Sequence, residues 1–216
     1  MILRQLHEEL RQHFPTALWQ GNPARREIAL TFDDGPDAEA TPALLALLER
    51  HNVVATFFQI GLRVAAAPTL VRSVSDAGHQ IGLHGYEHQS FLLKTASTLR
   101  QELAQTQALL ATASGRDLAA FNAVRPPFGH FTPATLKTLV EAGYLPVMWS
   151  LVPFHWLQSA EATVRQIRNG MGNGTILVLH EGLAGPPVAD LTAAVLPDLL
   201  AEGYRFVTID EMAVNR

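Results

Sequence analysis

The sequence predicts an α/β fold in which parallel strands alternate with covering helices, and three observations carry this. Short apolar runs recur along the 216 residues, at Ile28–Phe32, Ala55–Phe58, Gln80–Leu83, Ala123–Arg125, Leu145–Trp149, Thr175–Leu179 and Arg205–Ile209. Helical patterns lie between or beside them, at about 41–51, 67–77, 97–113, 132–142, 160–169 and 189–202. Three like phrases, Asp76-Ala77-Gly78-His79, Glu141-Ala142-Gly143-Tyr144 and Ala201-Glu202-Gly203-Tyr204, each end a helical pattern just before an apolar run. Short apolar runs bounded by turn residues read as buried strands. Repeated strand–helix units imply parallel pairing, because a parallel connection needs a crossover. About seven units leave a barrel or a doubly wound sheet, and both collect function at the C-terminal ends of the strands.

In chain order, residues 3–14 read as a helix with Leu3, Leu6, Leu10 and Phe14 on one face, followed by a Pro/Gly/Asn-rich connection from Pro15 to Pro23. Residues 1–24 are thus expected to form a helical extension and 25–216 the main domain. Thr41-Pro42 and Thr132-Pro133 read as helix N-caps followed by proline at the first helical position. Gly78, Gly143 and Gly203 stand where glycines follow helix C-termini.

Composition narrows the chemistry. The chain is 48% hydrophobic, enough for a large core, and only 17% charged, with net charge -4. That charge and the lack of a basic cluster argue against nucleic-acid binding. With no cysteine, disulfides and thiolate chemistry are excluded, and any metal site must use His, Asp or Glu. The N-terminus carries Glu8 and Glu9 where a signal peptide would be apolar, and no run is long enough to span a membrane. The expectation is a soluble, cytoplasmic protein.

Polar clusters follow the apolar runs. Asp33-Asp34-Gly35-Pro36 ends the first. Two adjacent carboxylates repel, so a cation or a basic partner must offset them. His84 and His88, after the third run, are four residues apart and on one helical turn would face the same way to hold a metal. Arg125, before Pro126-Pro127-Phe128-Gly129, ends the fourth and could orient whichever Asp does not bind metal. Trp149 ends the fifth, and His180 ends the sixth, where an acid for a leaving group would sit. The His-His-Asp set leaves coordination positions open for water and substrate.

In these stretches, T-F-D-D-G-P at 31–36, H-x-x-x-H at 84–88, R-P-P-F-G at 125–129 and the strand-end His180, the chain resembles the polysaccharide deacetylases of carbohydrate esterase family 4, the NodB homology domain. The resemblance covers roughly residues 25–210. It implies an irregular (β/α)7-type barrel, a distorted TIM-like fold, and hydrolytic removal of an N-acetyl group from an acetylated amino sugar in a polysaccharide, oligosaccharide, peptidoglycan or chitin-like glycan. It further implies Asp34, His84 and His88 as ligands of a divalent metal, zinc first with cobalt or nickel as alternatives. Asp33 would be the general base, Arg125 its orienting partner and His180 the acid. Leu179 and Trp149 would shape the acetyl pocket, and Tyr86, Pro127 and Phe128 would also meet substrate. A backbone N–H near Phe58 or Tyr86 would stabilise the oxyanion.

One departure stands out. In Trp149-Ser150-Leu151-Val152-Pro153-Phe154-His155-Trp156, Val152 and His155 occupy positions where the family carries the Asp that partners the acid histidine. His155 and Trp156 are therefore expected beside His180, with Glu181 or Asp210 as substitute carboxylates and a slower or differently tuned enzyme as the result. Two other readings remain beside the deacetylase: an O-acetyl esterase on acetylated xylan-like glycans, and a metal-retaining carbohydrate-binding protein with weak or no turnover.

Overall fold

The computed structural model describes residues 2–215, with side chains from residue 8 to residue 215. Its strands are β1 (Glu27–Gly35), β2 (Thr56–Gln59), β3 (Gln80–Leu83), β4 (Ala123–Val124), β5 (Leu145–Pro146), β6 (Thr175–His180) and β7 (Arg205–Phe206). All pair in parallel in the order β5-β4-β3-β2-β1-β6, with β7 also on β1. Past β5 the chain leaves the sheet and returns. Leu151 forms an isolated parallel bridge with Leu177, with Val178 N–H donating to Leu151 O at 2.9 Å. This seam closes the sheet into the irregular barrel that the sequence suggests.

The helices are α1 (Ile2–His13), α2 (Ala40–His51), α3 (Gly61–Ala66), α4 (Pro68–Asp76), α5 (Ala96–Ser114), α6 (Pro133–Glu141), α7 (Ala160–Gly170), α8 (Val188–Ala201) and α9 (Ile209–Val214). Helices between α2 and α8 bury the outer face of the sheet, while Ile209 and Met212 of α9 pack with the inward-facing side chains. On β1, Ile28, Leu30 and Phe32 point outward and join Leu44, Leu47 and Leu48 of α2 and Val195, Leu196 and Leu199 of α8 in the main core. Ala29 points inward, with Phe58, Ala123, Val147, Ile176 and Val207. Every residue of β1 is buried, as a parallel strand covered on both faces requires. Within the barrel, apolar side chains fill the lower layers and polar ones the upper rim.

Several local expectations need correction. The α2 helix starts at Ala40, so Thr41 is not its N-cap; Asp37 Oδ1 instead accepts the N–H groups of Glu39 and Ala40. Thr132, by contrast, caps α6 ahead of Pro133. Gly78, Gly143 and Gly203 adopt positive φ of 80°, 83° and 83° at their helix ends. The strand expected through Ile209 stops at Phe206, because Thr208 and Glu211 form a capping box that starts α9. Strands β4 and β5 are also shorter than their apolar runs, ending at Val124 and Pro146. The six-residue α3 is too short to leave a helical pattern in the sequence. Of the apolar face expected on α1, Leu10 and Phe14 pack near Ala17, Trp19 and Met148, while the side chains of Leu3 and Leu6 lie outside the described residues. Among the described residues, no helix is long and apolar enough to cross a membrane.

Candidate active site

The C-terminal end of β1 sends its two carboxylates apart. Asp33 stays in register, opposite Phe58 on β2 and His180 on β6. The ladder to β2 then shifts between Asp33 and Gly35, and Asp34 takes a left-handed φ of 72°, a conformation that Asp adopts more readily than most residues. The two acid groups consequently meet different partners.

Arg125 is fully buried, and its Nη1 donates to Asp33 Oδ1 at 2.6 Å and to Thr31 Oγ1 at 2.7 Å. Its Nη2 donates to Met148 O at 3.0 Å, and its guanidinium lies 4.1 Å above the Phe58 ring. Burial draws the Arg125 pKa below its ordinary value and Asp33 works against that. A buried guanidinium this well paired holds Asp33 in one orientation and leaves Oδ2 toward the cavity.

Asp34 faces the histidines. Its Oδ1 lies 3.4 Å from His84 Nε2 and 3.1 Å from His88 Nε2, yet this buried oxygen has no hydrogen-bond partner. His84 Nδ1–H donates to Arg125 O at 2.8 Å, which fixes the tautomer and turns Nε2 toward Asp34. The pair is not carried on a helical turn, as its spacing suggested. Residues 84–88 form a loop, with Gly85 at φ 76° and His88 at φ 54° aiming the second ring back over the first. Ligand atoms of Asp34, His84 and His88 all lie within 4.8 Å of one another. Burial acts to raise the Asp34 carboxyl, but the two imidazoles outweigh it and hold Asp34 far below the usual carboxylate range. Burial likewise acts to lower the His84 pKa and is outweighed by Asp33 and Asp34, so it rises. An orphaned carboxylate oxygen facing two imidazole nitrogens fits a divalent cation, with both nitrogens and one oxygen as donors.

His180 stands opposite Asp33 on β6. Trp156 meets its ring edge-on at 4.6 Å, and the His155 ring lies 5.6 Å away. Its Nδ1 is buried without a partner. Burial is the largest influence on His180 and leaves its pKa below the ordinary value despite Asp33 and Asp34. Neither proposed substitute reaches it. Glu181, fully buried, turns away to Thr41, whose hydroxyl donates to Oε2, and Asp210 lies at the start of α9, where its N–H donates to Gln80 Oε1 at 3.0 Å.

Between these groups lies a cavity of about 330 Å³, lined by Asp33, Asp34, His84, His88 and His180 and walled by apolar side chains. Phe128 and Trp149 line it, the places the family resemblance implies for them, and Trp156, expected only beside His180, lines it as well. Leu179 does not: it points outward into the main core, and Val178, facing inward beside His180, takes its place. Pro127 is buried beside Gly85, and Tyr86 packs over Gly61, so neither lines the cavity. Phe58 lies beneath Arg125 and its side chain does not line the cavity either. The sequence reading missed Phe154 and Leu183, loop residues with no periodicity to mark them. Gly129, at φ 68°, leaves room for the edge of the Trp149 indole, since a Cβ there would sit 2.3 Å from its tip.

A barrel of parallel strands with this rim cluster belongs to the class of metal-dependent α/β-barrel hydrolases. The family model described as Polysaccharide deacetylase matches residues 20–147, and the chain belongs to that family. A peptidoglycan-N-acetylglucosamine deacetylase of Bacillus cereus is 36% identical over 200 residues, spanning 90% of this chain and 91% of the relative. The crystal structure of a peptidoglycan N-acetylglucosamine deacetylase in complex with 4-naphthalen-1-yl-N-oxidanyl-benzamide superposes with a TM-score of 0.86 at 30% identity, covering 94% of this chain and 95% of that one. A family 4 acetyl xylan esterase from Clostridium thermocellum, in complex with a cobalt ion, gives a TM-score of 0.77 at 31% identity, covering 86% and 89%.

Proposed function

We propose that this protein is a metal-dependent N-deacetylase acting on an acetylated amino sugar within a glycan. The observation that carries the reading is the division of labour at the end of β1, with Asp34 directed to His84 and His88 while Arg125 holds Asp33 beside them. Asp34, His84 and His88 would hold the cation, zinc first among candidates for a two-imidazole, one-carboxylate donor set, with cobalt or nickel as alternatives. When bound, the cation supplies Lewis acidity to the acetyl carbonyl and lowers the proton affinity of water. The side chains do the rest. Asp33 accepts the proton of the attacking water at Oδ2, the oxygen not taken by Arg125. From the neighbouring strand, His180 donates a proton to the departing amine. Val178, Trp149 and Phe128 border the space for the acetyl group and the sugar and keep bulk water out. An amide has a poor leaving group, so both the base and the acid are needed. The reading takes residues 25–216 as the catalytic domain and residues 1–24 as an N-terminal helical extension.

A second reading, cleavage of O-acetyl esters on xylan-like glycans, is favoured by the likeness to the acetyl xylan esterase. An alkoxide leaves far more readily than an unprotonated amide nitrogen, which would depart as an anion, so ester cleavage depends less on His180. The deciding experiment combines metal analysis of purified protein with acetate release from N-acetylglucosamine oligomers, peptidoglycan and acetylxylan. Release from the amino-sugar substrates supports the first reading, and release from acetylxylan alone supports the second.

A further inference from the structure

His155 is 1% exposed, stands where the family resemblance calls for a carboxylate, and does not pair with the His180 ring. Its Nε2 accepts the main-chain N–H of His180 at 3.1 Å. The strand pattern gives this bond its meaning. Alternate N–H groups of a parallel strand face the same neighbour. Toward β1, Glu181 N–H donates to Asp33 O at 2.9 Å. Toward the seam, Val178 N–H donates to Leu151 O at 2.9 Å. The next N–H on that side belongs to His180, where the chain after Leu151 has left the sheet, and the imidazole of His155 fills the place of the missing carbonyl.

We infer that His155 is a positioning residue for His180, its side chain completing the barrel seam by one bond and fixing the main chain that carries the acid. An imidazole nitrogen that accepts must be unprotonated, which puts the proton of His155 on Nδ1. Burial, with His180 adding to it and Asp34 opposing, holds the His155 pKa down at about 4, in keeping with that form. The left-handed turn at Phe154, φ 49°, and the close approach of Gly185 to the His155 carbonyl fix the entry of this side chain. The strand therefore keeps its end ordered without placing a charge beside the acid. The role given to His180 rests on the deacetylase reading; the seam bond does not.

Three substitutions separate the possibilities. His155→Ala removes the acceptor, His155→Leu fills the volume without an acceptor, and His155→Gln returns an uncharged acceptor at the same reach. Hydrogen exchange at the His180 amide, metal content and kcat and KM for acetate release are read for each. The expected pattern is a protected amide in wild type and His155→Gln, and at least tenfold faster exchange in His155→Ala and His155→Leu. The kcat should fall by about 10²-fold in the latter two, as misplacement of a catalytic group does, with KM and metal content unchanged. A slow amide or full kcat in His155→Leu overturns the proposal, because packing alone would then suffice. Unrestored kcat in His155→Gln with a protected amide also overturns it. Should wild type itself release no acetate, the deacetylase reading fails, and the exchange pattern still decides the seam.

Discussion

Glu181 N–H donates to Asp33 O at 2.9 Å, and through this bond a fully buried carboxyl is held directly behind the turn that carries both rim aspartates. Its Oε1 lies 2.0 Å from where a Cβ on Gly35 would be, so any side chain at that position would have to displace the Glu181 carboxyl. Burial, opposed by the Thr41 hydroxyl and Arg63 and aided by Asp37 and Asp34, pushes the Glu181 pKa up to about 8.

The folded state therefore keeps the Glu181 proton where the unfolded chain, with a pKa near 4.5, releases it. The stability this contributes is fully present below about pH 4.5 and is lost as pH rises through about 8, with a limiting slope of about 1.4 kcal/mol per pH unit. Glu181→Gln removes the slope. Urea midpoints of both proteins between pH 5 and 8 should diverge, the wild type falling more steeply; parallel curves would place the charge of Glu181 elsewhere.

Asp33→Asn is expected to keep the fold and the metal while kcat falls on the order of 10²- to 10⁴-fold, the usual worth of a general base. Either change breaks the buried Arg125–Asp33 pair and costs up to about 3–5 kcal/mol of stability, but Arg125→Met leaves the base in place and should lower kcat less. Kinetics and denaturant unfolding of the two variants distinguish the roles. Full activity in Asp33→Asn would remove it from the mechanism.

Chelation is expected to abolish turnover and lower Tm, since ligand at a hundredfold excess over its Kd stabilises by about 2.7 kcal/mol. Zinc or cobalt should restore both. His84→Ala and Asp34→Ala should lose the metal on dialysis, as measured by elemental analysis. Retained stoichiometric metal in both would place the site elsewhere.

The two neighbours on β6 should respond in opposite ways. Val178→Leu adds volume inside the cavity and is expected to lower kcat/KM with little change in Tm. Leu179→Ala opens a hole in the outer core and should cost about 2–5 kcal/mol with kcat/KM per folded molecule preserved. The reverse pattern would mean that the inward and outward faces of β6 have been exchanged.

That last pair shows what the sequence carried and where it was misread. The seven apolar runs locate the seven strands found among the described residues, because a parallel sheet buried on both faces needs continuous apolar sequence. Asp34 and His180 lie at the ends of strands and His84, His88 and Arg125 follow others, and the shared direction of the strands brings them to one rim. Leu179 was misplaced although the period of two was available: a strand with His180 inward must turn Val178 inward and Leu179 outward. His155 stands beside His180 as its place in the sequence suggests, but its bond was illegible for a different reason. Its partner is a main-chain N–H at a seam created by tertiary closure, and no local pattern encodes that bond. Phe154 and Leu183 reach the cavity from loops, where side-chain direction depends on individual backbone angles rather than on a repeat.

Arg125 touches Thr31 and Asp33 of β1, the ring of Phe58 on β2 and the carbonyl of Met148 beyond β5, and its own N–H donates to Leu83 of β3 at 3.0 Å. One side chain and its peptide thus tie the base to four parts of the barrel wall. Partial opening of any of them releases the guanidinium and, with it, the base. Activity is therefore expected to be all-or-none with respect to the barrel: in rising denaturant, loss of turnover and loss of global structure should share one transition, leaving no range in which a loosened barrel still works.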